Sequence, residues 1–345
     1  MSDLFTGVIL QGKPNGEQGT ASFRPMFTIV DVQAARERIA GRVHHTPLLS
    51  ATRIGAPHGV ALSLKCESLQ KTGSFKARGA LNALLAMDDE ARNRGVITVS
   101  AGNHAQALAW AAAQTGVKAT VVMFEKAPRL KVEASRGYGA EVVLFGASSI
   151  ESFARARELE KERGLTFVHP FDDVAVAAGA GTVAFEILEA TEADVIVVSM
   201  GGGGLMAGVA TVVRTRSPKT RIVGVEPIGA AVIRKSLDAG KPMRLDRIDT
   251  IADGLTAPMA GDLTFPIIQK LVDDVVLVSD DEIRAAMREI LTSAKLVAEP
   301  AAAAAVAAVM TGRVGAKKGD RVVAVLSGGN VDLTRLAEIA AAPSP

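Results

Sequence analysis

Seven short runs rich in valine and isoleucine recur along the chain, and segments of helix length separate them. The runs occupy residues 96–100, 119–124, 141–145, 194–200, 221–226, 274–279 and 321–326. Nearly every position in them is apolar, which is typical of strands in a parallel sheet that is buried on both faces. This alternation predicts the α/β fold class, with doubly wound sheets.

The connections between the runs indicate helices and offer no natural point of division. Residues 103–115 are rich in alanine after a Gly-Asn start, and residues 280–294 open on two aspartates, which favour a first helical turn. The chain has no internal repeat and no obvious linker. Seven or more strands therefore favour two sheets built from interleaved segments over a simple division into halves.

Charge and cysteine content narrow the possible partners. The 39 Lys and Arg nearly balance the 37 Asp and Glu, so we expect a small-molecule substrate and neither nucleic acid nor a membrane as partner. The only cysteine, Cys66, excludes an intramolecular disulfide and suits the reducing cytoplasm.

No run approaches the roughly 18 apolar residues of a membrane span. We interpret residues 1–28 as a loose N-terminal tail and not as a signal peptide.

A glycine loop follows the run at residues 194–200 and opens a helical segment. It consists of Gly201, Gly202, Gly203, Gly204 and Leu205. Its backbone N–H groups can surround a phosphate at a helix N-terminus, although a tight turn also uses glycine. The loop contains a GxGxxA match as well, and Glu226 ends the next strand about 20 residues later, so a dinucleotide site is an open alternative.

Two other loops follow predicted strands. The first consists of Ser100, Ala101, Gly102, Asn103 and His104. Its N–H groups, hydroxyl and amide suit a substrate carboxylate, while a helix cap at Asn103 and a packed His104 are the alternatives. The second loop, residues 327–330, places the Ser327 hydroxyl at the carboxyl edge of a sheet, where an ordinary turn is the alternative.

Lys76 stands out in the segment ESLQKTGSFKARGALNALL at residues 67–85. It lies near a helix start, and desolvation or the neighbouring cation Arg78 would lower the pKa of its ammonium group. A lysine with a lowered pKa is a usable amine nucleophile. We interpret Lys65 and Lys71 as solvated surface groups.

Together these segments closely resemble the fold type II pyridoxal-phosphate enzymes, which are tryptophan synthase β-like. Within that group the resemblance is to the threonine and serine dehydratases and the related serine racemases, over residues 29–340. The resemblance implies two doubly wound domains with pyridoxal 5′-phosphate in the cleft between them. The large cofactor domain would comprise residues 29–94 and 166–345, and the small mobile domain residues 95–165. No C-terminal regulatory domain is expected.

The resemblance also implies a role for each motif. Lys76 matches the Schiff-base lysine, and Phe75 would pack against the pyridine ring. The cofactor phosphate would bind residues 201–205, with Gly254 close to the cofactor and Ser327 at the pyridine nitrogen. The substrate carboxylate would bind residues 100–104, and Asn103 would also lie near the cofactor's 3-hydroxyl group.

The family mechanism is α,β-elimination. By the resemblance, Lys76, once freed, would remove the Cα proton, the β-hydroxyl would leave, and the resulting enamine would be released and hydrolysed to a 2-oxo acid and ammonia. Racemase-like relatives have a serine as second base where this chain has Ala101, which disfavours racemisation. We expect a dehydratase for L-threonine or L-serine. A dehydratase for 3-hydroxyaspartate or another 3-hydroxy amino acid, a serine or aspartate racemase, and a β-replacement enzyme stay open.

Two further expectations come from the resemblance alone. Glu226 and the Ala230 backbone match a site for Mg²⁺ or Ca²⁺, but Val232 stands where relatives have an acidic ligand. Losing one carboxylate weakens an oxygen site for a hard cation. The relatives also suggest a homodimer.

Overall fold

The computed structural model describes residues 27–341, in which ten strands form two sheets. The strands are β1 (Leu48–Ser50), β2 (Ala61–Cys66), β3 (Val96–Val99), β4 (Ala119–Met123), β5 (Glu141–Leu144), β6 (Thr166–Phe167), β7 (Val195–Ser199), β8 (Arg221–Pro227), β9 (Asp274–Val278) and β10 (Arg321–Leu326). The larger sheet has the order β1-β2-β10-β7-β8-β9, and the smaller has the order β5-β4-β3-β6. The α/β class is confirmed. The predicted tail at residues 1–28 lies, up to residue 26, outside the described residues.

All seven predicted strands are present, and the chain adds three that the pattern did not indicate. Every pairing is parallel except that of β1 with β2, which is antiparallel. β1 and β6 are only three and two residues long. β2 reads ALSLKC, and its two polar residues interrupt the apolar run.

Helices cover both sheets and connect most strands. In the described part they are α1 (Ile29–Ile39), α2 (Thr52–Gly55), α3 (Lys76–Ala86), α4 (Asp89–Arg94), α5 (Asn103–Thr115), α6 (Arg129–Gly137), α7 (Ser149–Arg163), α8 (Val174–Ala190), α9 (Gly204–Arg216), α10 (Val232–Ala239), α11 (Thr264–Leu271), α12 (Asp280–Glu289), α13 (Pro300–Met310) and α14 (Leu333–Ala341). The prediction at residues 103–115 is confirmed as α5. The one at 280–294 divides into α12 and a π-helical turn over Ile290–Ala294.

Glycines bring the central helices α3, α8 and α9 unusually close together. A Cβ atom on Gly181 of α8 would lie 2.8 Å from the backbone of Gly208 in α9. A Cβ atom on Gly79 of α3 would lie 2.6 Å from the carbonyl oxygen of Val176 in α8. Only glycine fits such contacts, because any larger residue would force the helices apart.

The carboxyl ends of strands in both sheets open on one cleft, as is usual for open α/β sheets. Ser100 follows β3, the glycine loop follows β7, and Ser327 follows β10. The smaller sheet runs to Phe167, two residues past the predicted domain boundary at 165. The domain boundaries and the mobility of residues 95–165 stay predictions.

Candidate active site

A cleft of about 2270 Å³ is lined by residues that follow strands of both sheets. It brings together every residue that the sequence suggested for cofactor or substrate, apart from the two assigned to a metal. These residues are Phe75, Lys76, Ser100, Ala101, Gly102, Asn103, His104, Gly201, Gly202, Gly203, Gly204, Leu205, Gly254 and Ser327. Glu226 and Ala230 do not line the cleft.

Lys76 is the first residue of α3, and its side chain reaches into the cleft. Its Nζ atom donates a hydrogen bond to the Pro170 carbonyl oxygen at 2.6 Å and lies 5.0 Å from the centre of the Phe75 ring. Desolvation lowers the pKa of Lys76 to about 8, while the negative charge of Glu299 acts in the opposite direction. Lys76 therefore carries a neutral amine far more often than an ordinary lysine does.

Arg78 plays no part in that lowered pKa, which corrects one of the two causes suggested above. Its guanidinium is buried and donates to Glu67 and to Glu186, at 2.8 and 2.6 Å. Lys65 completes the cluster with a 2.5 Å contact to Glu186. The prediction of a solvated Lys65 was wrong, because 1% of its side chain is exposed and a carboxylate compensates its charge. Lys71 is partly exposed.

The loop at residues 100–104 turns from β3 into α5. The Ser100 hydroxyl oxygen accepts a hydrogen bond from the Gly102 N–H at 3.1 Å. His104 is buried, and burial holds its pKa well below the usual value, so the imidazole is neutral. One ring nitrogen lies 3.4 Å from the Val168 carbonyl oxygen, but the other, Nδ1, has no partner within the described residues. An unpaired polar atom at the cleft suits a polar ligand.

The glycine loop has no room for side chains. A Cβ atom on Gly202 would lie 2.3 Å from the Phe171 ring, and Gly203 adopts a φ of 89°, in the left-handed region that favours glycine. Helix α9 begins at Gly204, so the N–H groups of its first turn lack carbonyl partners within the helix. This backbone arrangement fits a phosphate group.

Thr264 secures the glycine loop and Asp172 holds the segment that leads to Thr264, and sequence reasoning assigned a role to neither. The Asp172 carboxylate accepts hydrogen bonds from the N–H groups of Asp262 and Leu263, at 3.1 and 3.0 Å. The Thr264 hydroxyl donates to the Gly202 carbonyl oxygen at 2.7 Å. These contacts join residues more than sixty positions apart, which no local pattern in the sequence indicates.

Ser327 lies beside the lysine segment because two stretches of backbone are paired there. The Phe75 N–H donates to the Ser327 carbonyl oxygen at 3.0 Å, and Ser74 and Gly328 form an isolated β-bridge. Ser327 itself is buried and lines the cleft. The pairing explains how residues about 250 positions apart in the sequence meet at one site.

Glu299 is the most consequential residue that sequence reasoning missed. Its carboxylate lines the cleft and accepts a hydrogen bond from Asn103 Nδ2 at 2.7 Å. Burial raises the pKa of Glu299 to about 7. In the sequence Glu299 precedes Pro300 and an alanine-rich run, where an acidic residue is common at a helix start, so the pattern carried no functional signal.

Glu226 has a role that neither sequence hypothesis anticipated. Its two carboxylate oxygens accept the backbone N–H groups of Ile233 and Arg234, each at 2.8 Å, at the start of α10. Burial raises the pKa of Glu226 to about 8. Glu226 is fully buried and does not line the cleft, so it cannot reach the ribose hydroxyl of a ligand bound there, which removes the support for a dinucleotide site. The described residues contain no group of three or more His, Cys, Asp or Glu placed to hold a metal ion.

Comparison with known proteins identifies the family. The family model described as "Pyridoxal-phosphate dependent enzyme" matches residues 39–328. The chain is 45% identical over 309 residues to an L-threonine ammonia-lyase of Geobacter sulfurreducens, covering 89% of this chain and 77% of that protein. No helix in the described residues has the length and apolar character needed to cross a membrane.

Solved structures give the same result. The processed form of threonine deaminase isoform 2 from Solanum lycopersicum superposes with a TM-score of 0.85 at 36% identity, covering 91% of this chain and 92% of that one. Maize serine racemase superposes with a TM-score of 0.87 at 39% identity, covering 90% and 96%. The chain belongs to the family of pyridoxal-phosphate-dependent enzymes, with the fold type II architecture.

Proposed function

We propose that the chain is an ammonia-lyase that converts L-threonine, and also L-serine, to a 2-oxo acid and ammonia. The observation that carries the proposal is the amine of Lys76, whose pKa is lowered and which lines the same cleft as the glycine loop. The names of the relatives at 39–45% identity, L-threonine ammonia-lyase and L-threonine dehydratase, support the choice of substrate.

The residues of the cleft fit pyridoxal phosphate. The free N–H groups at the start of α9 would hold its phosphate, and Lys76 would hold its aldehyde carbon. Phe75 would pack on the ring, and Ser327 would bond the ring nitrogen as a neutral partner. When bound, the cofactor supplies an electron sink for negative charge at the substrate Cα.

Lys76 is the residue that we propose to take the Cα proton. With a pKa of about 8, about one in ten of its side chains is unprotonated at pH 7, far more than for an ordinary lysine. The Pro170 carbonyl oxygen, 2.6 Å from Nζ, orients the amine. The nearby Glu299 charge favours the ammonium form, so it stabilises the proton once Lys76 has accepted it.

Residues 100–104 would bind the substrate carboxylate and restrict the outcome to elimination. The N–H groups at the start of α5 suit a carboxylate, as they do at other helix N-termini. Ala101 offers no hydroxyl to return a proton to the opposite face of Cα. Racemisation needs such a second acid, so we expect far less of it than of elimination.

Incubation of the purified protein with L-threonine and with L-serine tests the proposal. We expect a 2-oxo acid and ammonia in equal amounts, little D-isomer, and a visible absorption band from the bound cofactor. Lys76→Ala should abolish both turnover and the band. Lys71→Ala, five residues away and outside the cleft, is the matched control and should retain both. Abundant D-serine without 2-oxo acid would instead favour the racemase alternative suggested by the racemase neighbours.

Two finer expectations accompany the proposal, a homodimer and a cytoplasmic location, and a divalent cation at Glu226 and Ala230 stays an open question. Light scattering on the purified protein tests the first. A bound cation would make activity change on dialysis against a chelator followed by titration with Mg²⁺ or Ca²⁺. The Glu226 hydrogen bonds to Ile233 and Arg234 favour no effect.

A further inference from the structure

The side-chain amide of Asn103 is held from two sides. Its Nδ2 donates to Glu299 Oε1 at 2.7 Å, and its Oδ1 accepts from Asn330 Nδ2 at 2.9 Å. Asn330 Nδ2 also donates to the Thr72 carbonyl oxygen at 2.7 Å. Because an ionised carboxylate only accepts and the Asn330 amino group only donates, this network admits one orientation of the Asn103 amide.

The position of Glu299 is itself fixed by its surroundings. Its backbone N–H donates to the Gly328 carbonyl oxygen at 3.1 Å, and helix α13 begins at the next residue. A Cβ atom on Gly328 would lie 2.4 Å from Glu299 Oε1, and one on Gly254 would lie 3.7 Å from it. The glycine at 328 therefore leaves the space that this carboxylate occupies.

Three charged groups from different elements act on this carboxylate, and a fourth acts on one of the three. Lys76 of α3 and Lys131 of α6 favour its ionised form, and Asp253 disfavours it. Arg335 of α14 partly neutralises Asp253 through a 3.1 Å contact. Burial is the largest influence and brings the pKa of Glu299 to about 7, so the carboxylate changes charge near neutral pH.

We propose that Glu299 is a positioning residue for the reaction, which holds the Asn103 amide so that its second amide hydrogen is available to the cofactor's 3-hydroxyl group. The inference rests on the proposed function, because it requires pyridoxal phosphate in the cleft with that hydroxyl near Asn103. A hydrogen bond to an ionised carboxylate is roughly twice as strong as a neutral one. The charge of Glu299 therefore sets how firmly Asn103 is held.

The test is a spectrophotometric titration of the cofactor-loaded protein across neutral pH. We expect the cofactor absorption band of the unchanged protein to shift with a midpoint near pH 7. Glu299→Gln keeps an oxygen that accepts from Asn103 but cannot ionise, so it should remove this transition and leave the cofactor dissociation constant within about twofold. Glu299→Ala removes the acceptor as well and should raise that constant by about tenfold.

Lys131→Met separates a titrating carboxylate from a merely structural one. Lys131 lowers the pKa of Glu299 and also lies 3.7 Å from the Asp253 carboxylate. Its removal takes away a favourable charge and leaves Asp253 less neutralised. Both effects raise the pKa of Glu299, so the midpoint of the transition should move to higher pH. A midpoint that stays in place or falls would refute the assignment.

The outcomes distinguish this inference from the proposed function. If neither the unchanged protein nor Lys76→Ala takes up pyridoxal phosphate, the proposed function is refuted. Protein that binds the cofactor and eliminates threonine, but whose transition persists in Glu299→Gln, would refute the role of Glu299 alone. Unchanged cofactor affinity in Glu299→Ala would refute it as well.

Discussion

Replacing Glu186 by glutamine should destabilise the protein severely, because it unbalances a buried group of four charges. Glu186 accepts from Arg78 at 2.6 Å and from Lys65 at 2.5 Å, and both cations are 1% exposed. Together with Glu67 the cluster is neutral, whereas Glu186→Gln leaves two cations against one carboxylate. Removing one partner of a buried ion pair costs about 3–5 kcal/mol of unfolding free energy.

Glu189→Gln is the matched control on the same helix, α8. Glu189 pairs with Arg36 at 2.6 Å, but the two side chains are 49% and 45% exposed. Solvent screening reduces such a pair to about 0–1 kcal/mol. Both substitutions are isosteric and remove one negative charge, so they differ in burial and in the number of cations that each carboxylate contacts.

Urea denaturation followed by circular dichroism gives the comparison, at about pH 7.5 and fixed cofactor concentration. We expect a much lower urea midpoint for Glu186→Gln and almost no change for Glu189→Gln. The pKa of Glu186 is held below its usual value, chiefly by its bonds to Arg78, against the effect of burial. The stability that it contributes is therefore present at neutral pH and disappears as the pH falls through its folded pKa. Equal losses in the two variants would refute the argument.

Three other predictions concern the helix packing, the second face of the substrate and the lysine. Gly208→Ala places a Cβ atom 2.4 Å from the Ala177 carbonyl oxygen and should lower the free energy of unfolding by about 1–3 kcal/mol in the same assay. In the control Gly137→Ala, in α6, the new Cβ atom meets nothing within 4 Å, so this change should be neutral or stabilising. Ala101→Ser should raise the rate of D-serine formation by restoring a second acid, and an unchanged rate would contradict the single-base argument. Cofactor-free protein should take up pyridoxal phosphate faster as the pH rises, with a midpoint near pH 8, because only the neutral Lys76 amine reacts. A midpoint near pH 10 would contradict the lowered pKa of Lys76.

Local patterns in the sequence were sufficient for the strands that are apolar throughout and for the loops that follow them. The runs at β3, β7 and β10 indicated both the sheets and the loops that line the cleft. They failed for β2, where Lys65 interrupts the apolar pattern. A buried lysine is possible there only because Glu186, 121 residues away, compensates it. No property of residues 61–66 alone reveals that partner.

The same reason explains which site residues were missed. Lys76 and the glycine loop belong to contiguous motifs, whereas Glu299 acts on Asn103 across 196 residues and Thr264 on Gly202 across 62. Glu299 and Thr264 are residue types that commonly stand at the start of a helix, here α13 and α11. Their importance comes from the meeting of distant segments, which local propensity cannot indicate.

The charge of Arg78 connects the buried cluster to the chemistry of Lys76. A cation two residues away would ordinarily lower the pKa of a lysine, yet Arg78 has no such effect here, because Glu67 and Glu186 cancel its charge. Glu186→Gln should therefore expose that charge and lower the pKa of Lys76 further. We expect the midpoint for cofactor uptake to fall below about 8 in Glu186→Gln, measured at a temperature where this variant is still folded. In Glu189→Gln the midpoint should remain near 8. A midpoint unchanged in both would mean that the charge of Arg78 has no influence on the pKa of Lys76.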